Sequence, residues 1–157
     1  MSDKQDDIKT LIIGMGNIIM SDDGVGIRIA RVLSDRLSGK QDVDVRETPL
    51  TGMNLVTMIE GYETAIIIDA IKTVEPAPGV LHKFDLDELA LTMHITSPHG
   101  TNLYTAVELG RRCGLKMPRK ITIFGIEIED ATVFSEECTP VIESRLSAIA
   151  DEIMKQL

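Results

Sequence analysis

Two carboxylates and an imidazole stand out in this 157-residue chain: Asp23, Asp69 and His99. Each sits where an apolar run or a turn breaks off. Three such groups from separate strand–helix connections suit a divalent transition metal of borderline softness, zinc or nickel, with positions left open for substrate. Each also has a plain structural reading. An aspartate at a helix start caps it, for about 0.5–2 kcal/mol. Asp22-Asp23 supplies two where one cap is enough, which leaves one to face a cleft beyond the strand ends. Asp69 closes the run Ala65-Ile66-Ile67-Ile68. Buried alone it would be costly, so it must meet a cation, a metal or water, or cap the turn through Ala70. His99, in Ser97-Pro98-His99-Gly100, lies in a loop stretch where an isolated histidine is ordinarily just solvated. His94 and His82 read as bystanders, His82 because it falls in an edge-strand alternation.

Other chemistries find less support. Gly14-Met15-Gly16-Asn17 follows an apolar run, but a dinucleotide fingerprint would need its third glycine at Ile19. No Walker lysine follows a glycine loop, and paired aspartates at the helix start would repel a phosphate. HExxH, CxxC and GxSxG are all absent. Cys113, in Gly110-Arg111-Arg112-Cys113-Gly114, reads as a core-facing residue at a helix end and not as a nucleophile for His99.

Apolar runs alternating with helical patterns must position these groups, and they predict βαβ units with a largely parallel sheet. Thr10 to Gly14 reads as the first strand, and Gly24 to Leu37 as a helix with Val25, Ile29, Val32, Leu33 and Leu37 on one face. Strands are expected at Val43 to Arg46, Thr64 to Asp69, Val80 to Phe84 and Lys120 to Ile128. Thr64 to Asp69, apolar on both faces, should be central. Helices are expected at Asn54 to Ile59, Leu86 to Leu91, Asn102 to Cys113 and Thr139 to Lys155, with His94 to Thr101 a loop. With no repeat or linker, a single α/β domain over residues 10–157 follows a polar segment at residues 1–9.

Composition narrows the function. Sixteen basic against 25 acidic side chains leave a formal net charge of −9, which argues against nucleic acid as a partner. The aromatic content of 3% offers little for a base-stacking surface. Apolar runs fall far below the roughly 20 residues of a membrane span. Met1 to Lys9 lacks the basic start and apolar middle of a signal peptide, so the cytoplasm is expected. Two cysteines do not make a disulfide scaffold.

Five motifs in order, Gly14-Met15-Gly16-Asn17, Asp22-Asp23-Gly24-Val25-Gly26, Thr51-Gly52-Met53, Asp69-Ala70 and Ser97-Pro98-His99, resemble those of the nickel–iron hydrogenase maturation endopeptidases. The likeness covers nearly the whole chain. It implies a three-layer α/β sandwich of the phosphorylase/hydrolase-like kind, with a twisted, mostly parallel five-stranded sheet and helices on both faces. It implies removal of the C-terminal extension from the hydrogenase large-subunit precursor, by a protein expected to act as a monomer. The family's nickel-contacting positions fall on Asp23, Asp69 and His99, and the resemblance implies that the nickel arrives with the precursor as a recognition element. Two departures are visible: Glu47-Thr48-Pro49-Leu50 stands where several members carry Asp-Gly-Gly, and Asp23 stands where some carry the longer Glu. Two other readings use the same residues differently. A nickel-handling assembly chaperone would bind through the three ligands without breaking a bond, and a flavodoxin-like module would hold a phosphate on Gly14 to Asn17.

Overall fold

The computed structural model describes residues 9–49, 53–91 and 103–157. In chain order these form β1 (Thr10–Met15), a 3-10 turn (Ser21–Gly24), α1 (Val25–Arg36), β2 (Val43–Thr48), α2 (Met53–Ile59), β3 (Thr64–Ile71), β4 (Leu81–Asp85), α3 (Leu86–Leu91), α4 (Leu103–Arg112), β5 (Lys120–Glu127), α5 (Pro140–Glu143) and α6 (Leu146–Met154). The strands make one sheet in the order β2-β1-β3-β5-β4, and only β4 runs antiparallel. This is the expected mostly parallel α/β architecture. The three strands buried along nearly their whole length, β1, β3 and β5, are central.

Side chains leave the sheet alternately, so each face builds its own core. On one face Ile12, Ile66, Ile68, Phe124 and Ile126 pack under α1, α5 and α6. On the other, Leu11, Ile13, Ile67, Ile121 and Ile123 pack under α2, α3 and α4. Helix α1 buries Val25, Ile29 and Leu33, the stripe expected from their spacing.

Most boundaries fall within one residue of expectation, and three elements differ by more. Strand β3 continues past Asp69 to Ile71, because β5 goes on pairing with it through Ile71↔Glu127. Strand β2 reaches Thr48, where Gly14↔Glu47 and Met15↔Thr48 extend its ladder with β1. The expected single C-terminal helix is two. The Ser144 hydroxyl donates to Val141 O (2.9 Å), and the Arg145 amide bonds Ile142 O, one residue short of the α register. The break turns Arg145 toward Gly79 O (3.3 Å) and Glu152 (2.8 Å).

The carboxyl edge is set by glycines. A Cβ on Gly26 would overlap Ile68 O and Met15 O, and one on Gly14 would overlap Gly26 O. The start of α1 therefore rests directly on the ends of β1 and β3, closer than any side chain allows. Gly26→Ala should lower stability by about 3 kcal/mol, at the upper end of overpacking costs. Gly39→Ala, with open space around it, should change it by less than about 1 kcal/mol. Urea unfolding of both variants checks the contrast.

Candidate functional site

The chain leaves β1 outward to β2 and returns through β3 on the other side, so β1 and β3 flank the point where strand order reverses. In open α/β sheets that crevice, beyond the carboxyl ends of the strands, is where ligands bind. Pairing of β1 with β3 stops at Gly14↔Ile68. Asp69 is the next residue, the first on β3 with no β1 partner, and it is buried. One of its oxygens, Oδ1, accepts from the Ala70 amide (2.9 Å).

Asp23 reaches the same crevice from the β1 side. Gly16 takes φ +143, a conformation in which a side chain would strike Asp23 O. The chain then winds through the 3-10 turn, which lies against β3. Asp23 is buried there, and its Oδ2 accepts from the Asn17 amide (2.9 Å). The Gly14-Met15-Gly16-Asn17 sequence thus shapes a tight backbone crossing that cradles a carboxylate.

Neither aspartate caps α1, whose N-cap Gly24 has no side-chain hydrogen bond, so the expected capping role is corrected. Asp22 does something else. It is fully buried and accepts from the amides of Glu129 (3.1 Å), Asp130 (3.0 Å) and Thr139 (2.7 Å) and from the Thr139 hydroxyl (2.9 Å to Oδ2). Thr139 is the residue before α5, so Asp22 binds both ends of the 129–139 connection to the turn that carries Asp23. Four charge-assisted bonds compensate a carboxylate that would otherwise be ruinous to bury.

His99, the third predicted ligand, lies outside the described residues, as do His94, Thr51 and Gly52 and the whole expected loop from His94 to Thr101. Asp23 and Asp69 are brought to one crevice. The structure also shows a carboxylate that sequence reasoning missed. Glu127 is fully buried at the end of β5, accepts from the Thr73 amide (3.0 Å) and lies 3.8 Å from His82 Nε2. Its signal was an acid between Ile126 and Ile128 in an otherwise apolar strand. His82, on edge strand β4 as expected, stands beside this acid and stacks on Phe84.

Cys113 is remote from the crevice, whereas the Cys138 thiol lies against Ser21 O (3.9 Å) in the turn that carries Asp23. Cys113 is exposed and not core-facing as expected, since α4 ends before it. The turn after it is tied to the amino end of β3 by Gly61 N to Lys116 O and Arg119 N to Glu63 O, at the sheet edge opposite the crevice. Cys138 is buried, and loss of solvation pushes its thiol up to about 11, only partly offset by Arg28. At neutral pH it is protonated and inert.

Two buried aspartates at the carboxyl ends of β1 and β3, without a nucleophile motif, mark the candidate site of an α/β protein. The profile of the hydrogenase maturation protease family, HycI, matches residues 27–156, and the chain belongs to that family, a family of peptidases. Among its relatives, the hydrogenase 2 maturation protease of Escherichia coli K12 is 27% identical over 151 residues, 96% of this chain and 91% of that protein. The structure of the hydrogenase maturating endopeptidase HybD from E. coli superposes with a TM-score of 0.79 at 25% identity, covering 96% of this chain and 92% of that one. The [NiFe] hydrogenase maturation protease HybD from Thermococcus kodakarensis shares the fold, with a TM-score of 0.72 at 22% identity over 95% of this chain and 99% of that one.

Two consequences can be measured. In the native protein at pH 8, an alkylating reagent should modify Cys113 and spare Cys138 until the chain is unfolded, as peptide mapping will show. Asp22→Asn keeps shape but loses acceptor capacity for the loop amides. It should cost about 1–3 kcal/mol in urea unfolding, the penalty for a buried group left unsatisfied.

Proposed function

We propose that this protein cleaves the C-terminal extension from the nickel-loaded large-subunit precursor of a nickel–iron hydrogenase, and that Asp23, Asp69 and His99 receive the precursor's nickel. The observation that carries the reading is the convergence of two buried aspartates, from either side of the switch point, on one crevice. The hard oxygens of two carboxylates together with one imidazole fit a divalent ion. Among the described residues no group of three His, Cys, Asp or Glu side chains is arranged to hold a metal. The reading draws its third donor from His99, whose Ser97-Pro98-His99 setting matches the family motif, and the remaining donors from the precursor.

The nickel is thus part of the substrate, and a divalent ion supplies Lewis acidity to a nearby carbonyl. The protein's own side chains do the positioning. Asn17 orients the Asp23 carboxylate through its amide, and the Ala70 amide holds one Asp69 oxygen, so both acids are presented without further reorganisation. A weak site completed by the substrate makes cleavage wait until nickel has been inserted. One copy of the chain provides both aspartates, so the active form we propose is a monomer. Free cysteines fit a reducing compartment, and we place the protein in the cytoplasm. Among the described residues no helix is long and apolar enough to cross a membrane.

The test is incubation of the purified protein with nickel-loaded and nickel-free precursor, followed by mass measurement of the released peptide. Release from the loaded precursor alone is expected. Binding without release would instead assign an assembly chaperone. Asp69→Asn should stay folded while its processing rate falls by about a hundredfold or more. If the variant unfolds and its activity tracks the folded fraction, Asp69 is structural. His99→Ala should weaken binding of the loaded precursor and leave binding of the nickel-free form unchanged. Equal affinity in all four pairings would remove the metal from recognition. Exchanging both Cys113 and Cys138 for Ser should leave processing within a few-fold of the parent, since neither thiol acts as nucleophile.

A further inference from the structure

Beside the crevice the 129–139 connection holds apolar side chains out into solvent. Val133 is 55% exposed and Phe134 79%, the largest exposure of any big hydrophobic residue among those described, and Ile19 next to them is 46% exposed. Single exposed apolar residues are ordinary on a protein surface. These three differ in how firmly the backbone around them is held. Asp22 clamps both ends of the connection. Its middle is tied to the segment before Asp23 by Ser135 N to Ile19 O (3.0 Å) and Ser21 N to Ser135 O (2.9 Å). That pairing makes Ile19 and Phe134 neighbours across a short bridge, since Phe134 precedes Ser135. Asp130 accepts from both the amide (2.8 Å) and the hydroxyl (2.7 Å) of Thr132, bending the chain just before Val133. Ser21 itself is held at φ 51, a conformation that costs a side-chain-bearing residue energy.

The lip is continuous with the candidate site, because the segment that carries Ile19 and Ser21 runs directly into Asp23. Along the connection the charge is acidic: Glu129, Asp130, Glu136 and Glu137 flank Val133-Phe134 with no basic residue between them, and Lys72 from another element lies near Asp130. From this geometry we infer that Ile19, Val133 and Phe134 form a preformed docking lip for the precursor, taking an apolar segment of that protein that is flanked by lysine or arginine. The inference rests on the proposed reaction and adds to it a surface that selects the substrate protein, separate from the residues that meet its metal. A rigid apolar contact in an acidic rim gives affinity from burial and steering from charge. It also loses no loop entropy on binding, since hydrogen bonds already hold the backbone.

The experiment is steady-state cleavage of the nickel-loaded precursor by the parent protein, by Ile19→Ser combined with Phe134→Ser, and by Glu136→Lys combined with Glu137→Lys. Thermal unfolding confirms that each variant is folded. Leu109→Ser serves as the control, with Leu109 likewise apolar and 47% exposed, but on α4. The expected result is a KM raised about tenfold in the Ile19/Phe134 variant with kcat within twofold, and a parent-like KM in the control. The parent KM should rise between 50 and 300 mM salt, over which the Debye length shortens about 2.4-fold, and the Glu136/Glu137 variant should bind more weakly and lose that dependence. A parent-like KM in the folded Ile19/Phe134 variant overturns the inference, as does a fall in kcat at unchanged KM. Equal loss in Leu109→Ser overturns it too. If the parent protein does not cleave the precursor at all, the proposed reaction fails instead, which keeps the two failures apart.

Discussion

The close seating of α1 on the ends of β1 and β3 is the constraint on which the site depends. Gly14 and Gly26 remove the side chains that would hold helix and sheet apart, and Gly16 turns the chain through a conformation that leaves room for the backbone of Asp23. Side chains at a packing contact normally hold helix axes about 8–10 Å from their neighbours' axes. Here backbone meets backbone, so the connection from β1 to α1 is forced into the crevice rather than above it. Asp23 is carried in with it and Asp69 is left at the point where β1 and β3 part.

That arrangement puts acids where water is scarce, and the fold answers each with a different partner. Asp22 is met by amides of a connection more than a hundred residues away in sequence, which fastens the C-terminal third to the crevice. Glu127 is met by the Thr73 amide and His82. Asp23 and Asp69 are held by local amides from Asn17 and Ala70 at the rim. The adjacent aspartates of one motif have separate partners, Asp22 the amides of the 129–139 connection and Asp23 the Asn17 amide, because their side chains leave a single 3-10 turn in different directions. The clamp that closes the core on the α5 side also holds the backbone that exposes Val133 and Phe134.

The β2 edge shows how a departure from the family motif is accommodated. Glu47 stands at the end of β2 and forms a two-point pair with Arg31 of α1, both contacts 2.8 Å. The guanidinium holds the Glu47 carboxyl below the usual carboxylate range, so the pair contributes above that range and its contribution is lost as pH falls through the lowered value. Both groups are about half exposed, which keeps the contribution below about 1 kcal/mol. The residue secures β2 to α1 on the flank of the crevice and leaves the aspartates untouched.

Much of this was legible in the amino-acid order. Apolar periods of two and of about 3.6 residues follow directly from local geometry, so the parallel sheet, the central position of Thr64 to Ile68 and the buried stripe of α1 could be read, and the ordered motifs pointed to the family and to Asp23 and Asp69. Other features rest on contacts between distant segments, which no local pattern encodes. That Asp22 serves the 129–139 connection and not its own helix, that β3 runs beyond Asp69, that Cys113 is exposed and that Glu127 lies buried beside His82 were all decided when strands paired and helices settled on the sheet. Spacing along the chain states which residue types are near one another locally; the depth at which a carboxylate is buried, and the amide that meets it there, exist only after the chain has closed on itself.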